Sequence, residues 1–221
     1  MNCTDPKALP EAKARSIQRQ LEERFPDLTA STTGSRIYIR GAFPLVHEAM
    51  VLDRYQIEIE WSDSATEAPV LRETAGRIPR TNDRHMDSEG KACPLVPEEW
   101  LIRAPEARTI IHYLNGPVRN YFLWQSLTER GLTPPQGQRS HHVAGLIEAY
   151  GDMVGMHGEI VVRKCLDYVS KKKFKGHWIC FCGSGLPLRS CHVEHLRHLQ
   201  RKIPRHVAEL ALKRLANPTM R

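Results

Sequence analysis

The spacing of apolar residues changes period along the chain. In residues 7 to 24, KALPEAKARSIQRQLEER, Leu9, Ala12, Ile17 and Leu21 recur at roughly helical intervals among charges, which predicts an amphipathic helix ended at Phe25-Pro26. Beyond it the period falls to two. SRIYIRGAF (35 to 43), LVHEAMVL (45 to 52), RYQIEIEW (54 to 61) and APVLRE (68 to 73) read as extended segments separated by turn-rich links, so an antiparallel meander is the economical arrangement. From Thr74 to Pro105 there is little periodicity but much Gly, Pro, Asn and Asp. A loop that long inside a compact domain is usually functional. Helical spacing returns at 105 to 131, 141 to 155 and 158 to 173, and again at 192 to 215, where Pro204 breaks the pattern. This order predicts an α+β domain over residues 1–157, with helices on one side of an antiparallel sheet, and a smaller unit over 158–221.

A chain of 221 residues can bury a core without relying on disulfides. It has no long uncharged apolar run, and MNCTDPKALPEAKAR contains no apolar signal core, so a soluble cytoplasmic protein with no membrane partner is expected. The net charge of +7 is unevenly distributed. From residue 160 onward there are 14 Lys or Arg against 3 Asp or Glu, a net of +11, whereas the preceding residues carry 18 against 22, a net of −4. A basic end suits an acidic partner, nucleic acid included, or is a solvated helix face.

Three of the six cysteines cluster with a histidine in ICFCGSGLPLRSCH. Cys180, Cys182, Cys191 and His192 supply three soft thiolates and one imidazole, the donors that structural Zn²⁺ prefers, and Gly183-Ser184-Gly185 lets the chain fold back so that they converge. Four protein ligands close the coordination shell, so such a zinc is structural. His195, His198 and His206 read as surface residues, any of which can replace His192. The spacing C-x-C-x8-C-H resembles the SEC-C motif, a small zinc knuckle whose usual role is contact with a protein or a nucleic acid. Over residues 176–195 it implies a knuckle between basic helices. Phe174, Trp178 and Phe181 are either stacking platforms for nucleic acid or packing around the metal, with packing favoured.

Cys93 lies alone in DRHMDSEGKACPLVPEEW, with Arg84, His85 and Lys91 nearby in sequence. A thiol acts as a nucleophile through its thiolate, which needs exposure and neighbouring positive charge or hydrogen-bond donors. The competing reading is a small buried residue, the commonest fate of a free cysteine. The wider pattern bears on the choice. A first helix, a meander, and a loop with Glu89-Gly90-Lys91-Ala92-Cys93 followed by Trp100 together resemble the ubiquitin-conjugating enzymes over roughly residues 7 to 155. Residues His85 to Trp100 and SHHVAGLIEAY (Ser140 to Tyr150) resemble the divergent bacterial branch of that family.

That resemblance implies a UBC-like fold and a transferase in which Cys93 carries a protein carboxyl terminus as a thioester before a lysine amine attacks it. Members of the branch occur in CBASS antiphage operons, so it also implies a cGAS-like nucleotidyltransferase as donor and an acceptor lysine protein; the chain carries no activating-enzyme domain, so either a separate activating enzyme supplies the donor or the chain takes an already activated or unusual acyl donor. His85 stands where the family has an asparagine; an imidazole N–H can donate the same bond to an oxyanion. Asp83 and Asp87 are candidates for orienting His85 or for deprotonating the amine, Trp100 for supporting the site by packing, and the pair His141 and His142 are weaker candidates. Two alternatives remain beside the enzyme: an inactive conjugating-fold scaffold, and a nucleic-acid or protein-binding module acting through the knuckle and basic tail.

Overall fold

The computed structural model describes residues 8–62, 64, 66–133, 140 and 142–217. The chain divides into two units, Met1–Pro97 with Arg103–Gly137 and Glu98–Ile102 with Gln138–Arg221. The composition change at 157/158 falls inside the second of these.

The first unit opens with helix α1 (Ala8–Arg24). Five strands follow, β1 (Leu28–Thr33), β2 (Arg36–His47), β3 (Met50–Trp61), β4 (Val70–Glu73) and β5 (Lys91–Ala92), all antiparallel and side by side in chain order. The class is α+β and the sheet is the expected meander. Alternation explains its two faces. Ile37, Ile39, Phe43 and Leu45 of β2 and Tyr55, Ile57, Ile59 and Trp61 of β3 are buried on one of them. The other carries an ionic ladder, with Arg40 Nε 2.7 Å from Glu58 and Arg72 3.6 Å from Glu58 and 3.8 Å from Glu60. Such half-exposed pairs stabilise little, but they keep that face in water.

Two strand boundaries differ from expectation. LTASTT (28 to 33) is a strand that its polar composition concealed, and β2 runs unbroken through Pro44 to His47. Proline is tolerated here because Ala42 donates to Asp27 O at 3.2 Å on the β1 side, while β1 pairs with β2 only as far as Gly41. The N–H that Pro44 lacks would therefore face the side of β2 beyond the end of β1. The turn falls instead at Glu48 and Ala49, both at positive φ (47° and 63°). Gly41 has φ +138°, and a Cβ there would lie 2.0 Å from Asp27 O. Gly41→Ala is expected to lower the stability of this unit by on the order of 3 kcal/mol, read as a reduced urea midpoint.

A helix crosses the buried face of the sheet in three segments: α3 (Ile110–Tyr113), a π turn (Leu114–Val118) and α4 (Arg119–Glu129). Thr109 caps it by accepting from His112 N at 3.3 Å. Pro117 has no N–H to give the ladder, and the wider turn accommodates the gap. Phe122 of α4 stacks on Tyr55 at 4.2 Å and packs against Phe43 at 5.7 Å.

The second unit is helical: α2 (Pro97–Leu101), α5 (His142–Val154), α6 (Glu159–Ser170), α7 (Val193–Lys202) and α8 (Arg205–Ala216). Pro204 separates α7 from α8, as its missing N–H dictates. Tyr150, Val154, Val162, Leu166, Leu196 and Ala211 are buried among these helices. Glu98 of α2 is fully buried too, and Arg214 Nε of α8 donates to it at 3.1 Å. No described helix is long and apolar enough to cross a membrane.

Candidate functional site

The loop carrying Cys93 is built by local hydrogen bonds. Residues Asn82–Arg84 form a single 3-10 turn, closed by His85 at φ 46°, ψ 42° with its N–H donating to Asn82 O at 2.8 Å. Histidine in the left-handed region is uncommon, so the surroundings must hold it there. Met86 then bridges Ala92, and Asp87 makes the turn between them: its Oδ1 accepts from Glu89 N at 2.9 Å and Lys91 N at 2.8 Å, and its carbonyl accepts from Gly90 N at 3.1 Å. Gly90 is at φ +80°, and its carbonyl accepts from Glu73 N at 3.2 Å. Asp83 is exposed on the 3-10 turn. Cys93 follows β5 immediately. It is exposed and outside any disulfide, which removes the buried-filler reading. Its backbone N–H donates to His85 O at 2.9 Å.

One face of α4 grips the same loop from the other side. Tyr121 Oη donates to Arg84 O at 3.0 Å and Gln125 Nε2 donates to the same oxygen at 2.7 Å. The Arg84 guanidinium lies 5.8 Å from the Trp124 ring centroid and 3.7 Å from Glu129, and the His85 ring meets Trp124 edge-on at 6.0 Å. Glu129 in turn pairs with Arg77 at 2.7 Å, and Arg77 with Asp53 at 2.6 Å, where the guanidinium holds the Asp53 carboxyl below its ordinary range. Residues 121, 124, 125 and 129 share a face at helical spacing. Burial raises the hydroxyls of Tyr113 and Tyr121 well above the usual tyrosine value, and both lie near enough to Cys93 for its charge to add to the rise. Sequence reading overlooked Tyr121 and Gln125. The available signal was a polar pair on the apolar face of a helix.

The cysteine cluster is a second site, within the other unit. Trp178 O accepts from Leu188 N at 2.7 Å and Cys180 N donates to Leu186 O at 2.8 Å, closing a hairpin whose tip uses Gly183 (φ 84°) and Gly185 (φ 77°). A 3-10 turn at Leu188–Ser190 leads to Cys191, and His192 begins α7. The ligand atoms of Cys180, Cys182, Cys191 and His192 all lie within 4.8 Å of one another. Cys182 Sγ is 3.6 Å from Cys191 Sγ, and His192 Nδ1 is 3.3 Å from Cys180 Sγ and 3.1 Å from Cys191 Sγ. A tetrahedral thiolate site with bonds of about 2.3 Å has edges of about 3.7 Å, close to these separations. The four residues can hold a metal ion.

Electrostatics divides the thiols. Burial pushes Cys180 up to about 11, whereas the Ser184 hydroxyl and amide bring Cys182 down to about 6. His195 stays outside the set, its Nε2 hydrogen-bonded with Val154 O at 2.8 Å, and His198 and His206 are exposed. Phe181 is buried, 5.5 Å from the His192 ring, and Trp178 packs on Tyr168 at 5.0 Å; both are used in packing. Lys172, Lys173 and Lys175 are exposed nearby in sequence.

The later sequence pattern has a structural explanation. Ser140 N and Oγ contact Glu148 at 3.0 and 2.5 Å, and a Cβ on Gly145 would lie 1.8 Å from Ser140 O. Tyr150 is fully buried beside Glu98, and burial, with that carboxylate, raises its hydroxyl. Trp100, 3% exposed on α2, belongs to the core of the second unit. His142 opens α5, while His141 lies outside the described residues. No protein-family model matches the chain, nor does any curated protein or solved structure.

Proposed function

We propose that the protein is a ubiquitin-conjugating-enzyme-like acyl transferase with a UBC-like first unit. The observation that carries this reading is an exposed Cys93 thiol at the end of β5, fixed by the bond from its own N–H to His85 O. The Cys93 thiolate attacks an activated carboxyl terminus, forming the thioester C–S bond as the activating group leaves. A lysine amine then attacks the thioester carbonyl, the C–N bond forms, and the C–S bond breaks with its electron pair returning to sulfur. Both steps pass through an oxyanion. The backbone N–H of Cys93 is committed to His85 O and cannot serve that oxygen. The ring of His85, which can donate through one nitrogen and accept the amine proton on the other, takes that role.

The resemblance to the CBASS branch supports a cGAS-like nucleotidyltransferase as donor and a lysine-bearing protein as acceptor, the donor being activated by a separate enzyme or arriving already activated, in a reducing cytoplasm that keeps the Cys93 thiol reduced. The Cys180, Cys182, Cys191 and His192 donors favour Zn²⁺ in a structural, closed site. Intact mass spectrometry after incubation with the proteins encoded beside it tests the reading. Wild type is expected to gain the mass of one donor protein less one water, which thiol reductant removes; Cys93→Ser should gain the same mass as a reductant-resistant ester, and Cys93→Ala none. A wild-type protein without any gain would leave an inactive scaffold.

A further inference from the structure

We infer that Tyr121 and Gln125 are positioning residues for acyl transfer, acting on His85 through the Arg84 carbonyl. The inference rests on the reading of Cys93 as the thioester-forming nucleophile. Both side chains donate to one oxygen, at 3.0 and 2.7 Å, and Gln125 is fully buried. That oxygen belongs to the peptide joining Arg84 to His85, so the two bonds fix the plane from which His85 enters its left-handed conformation.

The rest of His85 is held just as closely. Its N–H is bonded to Asn82 O at 2.8 Å, its carbonyl accepts from Cys93 N at 2.9 Å, and its ring abuts Trp124. With the main chain pinned on both sides, the ring keeps only its side-chain torsions, and Trp124, one residue before Gln125 on the same helix, limits those. A left-handed residue outside glycine is strained and persists only where its surroundings over-determine it. Here one helix face adds to the two loop bonds on the His85 main chain, and one of those bonds ties that main chain to the backbone of Cys93. Arg84 shows the same convergence through its side chain, stacked near Trp124 and paired with Glu129.

The test needs no knowledge of the natural donor. A peptide thioester of 2-mercaptoethanesulfonate is exchanged onto Cys93 of the full chain, and aminolysis by free lysine is followed by intact mass. His85→Ala is expected to slow aminolysis by about 100-fold. Tyr121→Phe/Gln125→Met should slow it by about tenfold and weaken the imidazole limb of the pH profile. Alkylation of Cys93 by iodoacetamide should stay within about twofold in that variant, and it should add nothing to the effect of His85→Ala. Tyr121→Phe alone, which retains the Gln125 bond, gives a milder form with the same signature if the double variant unfolds. A pair of substitutions that leaves aminolysis at the wild-type rate, or slows the His85→Ala protein by the same factor again, overturns the inference while leaving the transfer reading intact. A wild-type thioester that aminolyses no faster than the small-molecule thioester overturns both.

Discussion

Cys182→Ser is expected to abolish metal binding and to unfold the segment from Trp178 through α7. Cys182 is the informative position because it is half-exposed, so its replacement removes a ligand without opening a cavity, as loss of the buried Cys180 would. The hairpin before α7 has little else to hold it. Apart from Phe181 and Leu188 its residues are small, polar or partly exposed, and Ile179 and Leu186 are about half exposed, at 51% and 50%. Structural zinc in comparable Cys/His modules supplies apparent binding free energies on the order of 10 kcal/mol, which in such modules is folding free energy. Metal analysis should show about one zinc per wild-type chain and none in the variant. Hydrogen exchange should then lose protection over 178–202 while protection in β2 and β3 is retained. A metal-free variant with wild-type protection in α7 would show that packing alone forms the knuckle.

Arg214→Met is expected to destabilise the second unit by about 3–5 kcal/mol. Glu98 has no exposed surface, and Arg214, itself 15% exposed at the side chain, is 3.1 Å away. Methionine keeps most of the arginine stem volume but leaves the carboxylate buried without its cation. Thermal melts follow the deficit. Adding Glu98→Gln, which removes the stranded charge, should recover much of the loss; a deficit left unchanged by that second substitution would mean that the packing of the arginine stem, not its charge, is what α8 contributes.

Some of this was legible from local pattern. RYQIEIEW alternates because one face of β3 is core and the other bears the Arg and Glu ladder, so its period survives in the sequence. The four metal donors are legible for a similar reason: a small knuckle forces its ligands into a short, fixed spacing. LTASTT was not legible, because an edge strand can be stabilised by one neighbour and needs few apolar residues. Pro44 misled because its tolerance depends on where β1 stops, a fact about a different segment. The loop around Cys93 was legible as a loop, but not its internal logic. Asp87 reads as a free acid until its Oδ1 is seen to accept two amides, and nothing local to His85 reveals that a helix some forty residues later in the chain holds the preceding carbonyl at 2.7 Å.

The π turn at Leu114–Val118 has a consequence for how relatives of this chain would be aligned. In an uninterrupted α-helix, positions eight apart are about 80° out of phase. One surplus residue beside Pro117 brings Tyr113 and Tyr121 back into phase, and Trp124, Gln125 and Glu129 rotate with them. A chain with another residue in place of that proline and one residue fewer in the turn would present the same grip on the loop with every one of those side chains numbered one place earlier. An alignment without a single-residue gap would then set this tyrosine and glutamine against unrelated positions, making a shared site look lost when only its phase had shifted.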